Sequence, residues 1–130
     1  MRCTICPKGC DADRESRLGF CGGALDPEVA TICVHKGEEP PLCGEKGICN
    51  VFFAHCNLQC VYCQNGAISA HRAASEIRFR GVEAIVEGIA EALSETENMV
   101  GFVTPSHYAN CIPAIVEGLH AKGLFPTTVY

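Results

Sequence analysis

No apolar run in this sequence approaches the roughly 20 residues that a membrane-spanning helix requires. A basic excess is missing too. Fifteen acidic against ten basic residues leave a formal charge of -5, which argues against general nucleic-acid binding through a basic face. The start of the chain lacks a charged region followed by an apolar stretch, and a cysteine already stands at residue 3, so the pattern of an export signal is absent. Neither an internal repeat nor a low-complexity tail, a phosphate-binding glycine loop or a Ser-His-Asp arrangement can be read. These absences predict a soluble, cytoplasmic protein of one modest domain that binds neither membrane nor nucleic acid.

What the chain does have is cysteine, 11 in 130 residues. A secreted disulfide scaffold fits poorly, because the export pattern is lacking and an odd count leaves one thiol unpaired. In a reducing compartment disulfides are rare, so crowded cysteines point to metal.

Residues 1–49 hold seven cysteines and much Gly, Pro and charge, with one short apolar stretch, "VATICV". Such a segment cannot bury much core by itself, and small units of this kind commonly use a metal in its place. From residue 50 the periodicity changes. "NVFFA" reads as a buried strand, and Val82, Ile85, Val86, Ile89 and Leu93 then repeat at helical steps. "MVGFVTP" reads as a second strand stopped by Pro105.

A second helical stripe runs through Tyr108, Cys111, Ile112, Ile115, Val116 and Leu119, with Gly123 as its C-terminal stop and Pro113 moving its start or kinking it. "TTVY" is a third strand. The alternation predicts an α/β fold with a parallel sheet over 50–130, preceded by a cysteine-rich metal-binding segment over 1–49.

Cys56, Cys60 and Cys63 stand in a C-x3-C-x2-C spacing directly after the first of these strands. A structural zinc site closes with four protein ligands, so three cysteines leave one position to explain. Either a distant residue fills it, giving a zinc knuckle or a plain ferredoxin-like cluster, or it is kept for something exogenous. Thiolates favour zinc or iron-sulfur clusters over hard cations. The loop lies where α/β sheets gather ligands, at the carboxyl end of a strand.

The run "CNLQCVYC" resembles the cysteine motif of the radical S-adenosylmethionine (SAM) superfamily, including the aromatic Tyr62 before the last cysteine. With "CTICPKGC", "GFCGG" and "VTPSHY", the chain is similar over nearly its whole length to the branch of uncharacterised proteins resembling pyruvate formate-lyase activating enzyme. The resemblance implies that Cys56, Cys60 and Cys63 ligate a [4Fe-4S] cluster whose fourth iron binds SAM. It further implies oxidoreductase chemistry through a 5'-deoxyadenosyl radical, a reduced flavodoxin- or ferredoxin-type electron donor, and a protein substrate. Tyr62 would lie beside the adenine. Thr104, Ser106 and His107 stand where the superfamily usually carries a glycine-glycine-glutamate element that receives the SAM amino group. Ser106 is equally readable as a helix N-cap, and His107 as a polar strand-end residue.

Cys3, Cys6, Cys10 and Cys21 form a C-x2-C-x3-C-x10-C set able to hold zinc or an auxiliary iron-sulfur cluster. Cys33, Cys43 and Cys49 fall outside the family pattern and are expected to be packed or free thiols, and Cys111 a small buried hydrophobe. His55 reads as a partly exposed loop residue or as a hydrogen-bonding neighbour of the cluster, and Glu38 and Glu39 as a solvated pair. A complete radical SAM core resembles a partial barrel of six strand-helix units, of which this chain supplies at most three strands. The expectation is therefore the N-terminal part of such a barrel, incomplete as an enzyme. A non-catalytic iron-sulfur or zinc module completed by another polypeptide is the alternative.

Overall fold

The computed structural model describes residues 2–69 and 76–130 as a mixed α/β fold around one five-stranded sheet. The strands are β1 (Glu28–His35), β2 (Ile48–Phe53), β3 (Phe79–Arg80), β4 (Met99–Val103) and β5 (Thr127–Val129), in the order β3-β1-β2-β4-β5. Two four-residue helices, α1 (Pro40–Cys43) and α2 (Gly66–Ser69), lie in connections, and the longer helices are α3 (Val82–Leu93) and α4 (Ile112–Ala121). A 3₁₀ turn, Ser106–Cys111, leads into α4.

The predicted strand-helix-strand-helix-strand order appears as β2, α3, β4, α4 and β5, with β2 parallel to β4 and β4 parallel to β5. The sheet has a second half that the alternation does not reveal. β1 runs antiparallel to β2, and β3 antiparallel to β1, so "VATICV" is a strand of the same sheet. Its residues alternate only weakly, because Val29 and Ala30 are buried on both faces while the strand's far end is half-exposed.

Helix α3 forms where the apolar residues repeat, and Ile85, Val86, Ile89 and Leu93 are buried as that spacing requires. Each such burial contributes about 2 kcal/mol. Gly88 lets the helix approach the sheet closely, since a Cβ there would stand 2.6 Å from the Phe79 ring and 2.8 Å from Ile32. Pro113 falls within the first turn of α4, where its missing N–H costs nothing, so the helix starts at Ile112 and is not kinked by it. At the other end Gly123 adopts φ +75, and Leu124 N–H donates to Leu119 O while Gly123 N–H donates to His120 O. That pair of bonds is a Schellman stop. Both long helices contribute to one core with Val51, Phe53, Val100, Phe102 and Tyr108. Among the described residues no helix is long and apolar enough to cross a membrane.

Candidate metal centre at the end of the first parallel strand

β2 delivers the chain to Ala54, whose N–H donates to Glu28 O at 2.9 Å, and the cysteine loop begins there. His55 and Gln59 take left-handed backbone conformations, φ 67 and 58, which turn the loop back on itself. The fold is fixed by His55 N–H to Ile68 O at 2.8 Å and by the Gln59 amide, whose Nε2 donates to Cys56 O at 2.6 Å and Ser69 O at 3.2 Å.

The result is a cavity of about 80 Å³ lined by Cys56, Gln59, Cys60, Cys63, Gly66 and Ser69. All three thiols predicted as ligands therefore share one cavity. Cys56 is buried, at 8% exposure, and its sulfur accepts the Leu58 N–H at 3.3 Å; Cys60 and Cys63 stand exposed at the rim. A soft thiolate set with one wall thiol and two rim thiols suits a metal centre reached from solvent. Among the described residues no three His, Cys, Asp or Glu side chains converge to the spacing that one bound ion would need.

Tyr62 is 86% exposed beside the rim, with Val61 and Leu58 also open to solvent. Thr104, Ser106 and His107 follow β4, at the same sheet end, but none of them lines the thiol cavity. Thr104 is half-buried with φ 57. Ser106 is exposed, and the cap position of the 3₁₀ turn falls on Pro105 with no side-chain bond. His107 is fully buried: its Nε2–H donates to Ala54 O at 2.8 Å, tying the end of β4 to the start of the cysteine loop. Burial drives its pKa down to about 4, aided by the nearby Arg14 and His55, against the opposing effect of the Ala54 hydrogen bond. The imidazole is thus a neutral tie at pH 7.

His55 is not an exposed loop residue but sits 8% exposed, with Nε2 2.9 Å from Glu28. The other Glu28 oxygen meets Arg80 at 2.7 Å, so one buried carboxylate joins the ends of β1, β2 and β3 under the cysteine loop. Of the predicted solvated pair, Glu39 is exposed, whereas Glu38 accepts Asn50 Nδ2 at 3.1 Å. Asn50 is buried opposite Gly101, where only a hydrogen side chain leaves it room. Cys43 and Cys49 are buried, Cys33 and Cys111 half-buried. Burial pushes the Cys49 thiol up to about 12, with Cys33 adding to the shift.

Sequence reasoning missed Glu28, Arg14 and Asn50. Arg14 and Glu28 are charged residues that only distant partners bury, and Asn50, though it opens a segment read as a buried strand, meets its partner Glu38 through a loop 12 positions away.

In the cysteine-rich segment, burial raises the Cys21 thiol, with Gly23 N–H and Arg14 opposing it. The Cys10 thiol is held below the ordinary thiol range by the backbone N–H groups of Phe20 and Ala12.

The chain is similar to an uncharacterised protein of Methanocaldococcus jannaschii, 37% identical over 67 residues. That match takes in 52% of this chain and 19% of the relative's length. No protein-family model matches the chain, and no solved structure does.

Proposed function

We propose that Cys56, Cys60 and Cys63 hold a [4Fe-4S] cluster with one iron left for SAM, in a radical SAM protein resembling the activases of glycyl radical enzymes. The observation that carries this reading is that three thiols of one loop share a single cavity at the carboxyl end of the first parallel strand, with no fourth cysteine among the described residues of its lining. In such a cluster each of the three thiolates would bind a different iron. When bound, the group supplies one-electron cleavage of SAM to methionine and a 5'-deoxyadenosyl radical that removes a hydrogen atom from the substrate.

The chain's own residues have plainer tasks. Cys56 is the buried anchor, and the Leu58 N–H offsets part of its thiolate charge. Gln59 braces the loop by bonding two carbonyls at once. Tyr62 offers an exposed face and backbone for the adenine. Thr104 and Ser106 offer oxygen acceptors for the SAM amino group, while buried His107 holds the two strand ends together. In this reading β2, α3, β4, α4 and β5 begin a radical SAM partial barrel, and β1 and β3 extend the sheet antiparallel to it. A reduced flavodoxin- or ferredoxin-type protein donates the electron, a protein supplies the hydrogen atom, and the setting is the cytoplasm.

Anaerobic reconstitution with iron and sulfide, followed by electron paramagnetic resonance with and without SAM, tests the reading. A SAM-dependent change in the reduced-cluster signal, absent in Cys60→Ala and retained in Cys111→Ala, is the expected result. A spectrum indifferent to SAM in the native chain counts against an open iron and leaves a passive metal-binding module.

A further inference from the structure

Cys60 and Cys63 are the two exposed thiols of the cysteine loop, and both line the cavity of about 80 Å³. A tight turn joins them. Cys63 N–H donates to Cys60 O at 3.2 Å, which closes Cys60, Val61, Tyr62 and Cys63 into a β-turn. Such a turn holds its first and last Cα atoms within about 7 Å, and a disulfide spans Cα atoms about 4.4–6.8 Å apart. The two middle residues are free to adjust, because Val61 is 99% and Tyr62 86% exposed and neither belongs to the core.

The third thiol of the loop is held differently. Cys56 is buried, and its sulfur accepts the Leu58 N–H at 3.3 Å. Gln59, in a left-handed conformation, separates it from the turn, and the Gln59 side chain ties Cys56 O to Ser69 O. Before β1, Cys3 and Cys21 are buried and Cys6 and Cys10 half-buried. Among the described residues no turn bond of this kind joins any other two cysteines. Exposure, a shared cavity and backbone geometry thus single out one pair.

We propose that Cys60 and Cys63 are a dithiol that a low-molecular-weight disulfide, such as glutathione disulfide, converts reversibly into an internal disulfide in the metal-free chain. One of the two attacks as thiolate and releases the first glutathione; the other then attacks the mixed disulfide at the protein sulfur and releases the second. The protein thiols lose two electrons and two protons, and the sulfur-sulfur bond of the reagent is reduced to two thiols. The closing step is intramolecular across one turn, so it outruns capture of another glutathione. In a reducing compartment such a bond is transient and reports the thiol poise. One consequence rests on the cluster reading of Cys56, Cys60 and Cys63: bond and cluster compete for the same two sulfurs, so an oxidised chain cannot be loaded and a loaded chain cannot be oxidised there.

The test incubates the full metal-free chain anaerobically with glutathione disulfide, then denatures it, alkylates the remaining thiols and locates the label by tandem mass spectrometry. Loss of label at Cys60 and Cys63 together, with two hydrogens missing from their common peptide and the label restored by dithiothreitol, is the expected result. Cys56→Ser should close the same bond, whereas Cys63→Ser should keep one glutathione on Cys60. Full label at both positions, a bond from either to Cys56, or a lasting glutathione on each would overturn the assignment. A chain first reconstituted with iron and sulfide should keep both labels under the same treatment, and equal oxidation of the loaded chain would refute the competition. A chain that takes up no iron yet closes the bond as expected would refute the cluster and uphold the dithiol.

Discussion

The His55 imidazole stands 2.9 Å from the Glu28 carboxylate, directly before the first cysteine of the loop. His55 holds a left-handed backbone, φ 67, that a non-glycine residue adopts at a cost, and the buried Glu28 contact helps keep it there. Glu28 also pairs with Arg80, so three strand ends meet at one side chain.

Replacing Glu28 by Ala should therefore cost about 2–3 kcal/mol, the usual loss for hydrogen bonds to a buried charged group. Urea unfolding measures it. A variant as stable as the native chain would mean that the carboxylate adds nothing beyond filling space.

His107 makes stability depend on pH in a definite direction. Its folded pKa lies near 4 against 6.5 for the free side chain, because burial disfavours the charged ring. Between these values the unfolded chain binds more protons, so stability rises with pH and is lost on acidification. From pH 7 to pH 5 the loss attributable to this one group is about 2 kcal/mol. His107→Gln keeps a donor for Ala54 but does not titrate, so its unfolding free energy should fall less steeply over that interval. Parallel curves for the two proteins would refute the tie.

Much of this architecture is written in local periodicity, and the rest is not. α3 is legible because Ile85, Val86, Ile89 and Leu93 recur at helical steps, and all four are buried. The cysteine spacing likewise places three thiols on one cavity. β1 escapes notice because a strand flanked by antiparallel neighbours on both sides leaves no helical crossover to announce it. Arg14 and Glu28 escape for a related reason: their burial depends on partners 93 and 27 positions away. No window of sequence contains both members of such a pair.

The thiols should separate sharply in reactivity. Cys49 is fully buried in the core with its pKa near 12 against an ordinary 9.0, so its thiolate population is lower by about a thousandfold. Cys60 and Cys63 are exposed. Brief treatment of the metal-free chain with iodoacetamide, read by peptide mass spectrometry, should label Cys60 and Cys63 early and Cys49 last. Early labelling of Cys49 in folded protein would contradict its place in the core.

Tyr108 and Gly23 offer a paired test of how the cysteine-rich segment seats on the sheet. The Tyr108 ring is fully buried between Phe53, 6.0 Å away, and the Arg14 guanidinium at 5.2 Å, and its hydroxyl has no hydrogen-bond partner among the described residues. A Cβ on Gly23 would come 2.6 Å from that hydroxyl. Gly23→Ala should thus cost about 1–3 kcal/mol through overpacking. Tyr108→Phe removes an unsatisfied polar atom and should be neutral or stabilising by about 1 kcal/mol. Because the phenylalanine ring lacks the clashing oxygen, the double variant should recover most of what Gly23→Ala loses. Strictly additive effects in denaturant melts would show that the two residues do not touch, and the segment would then need another seat on the sheet.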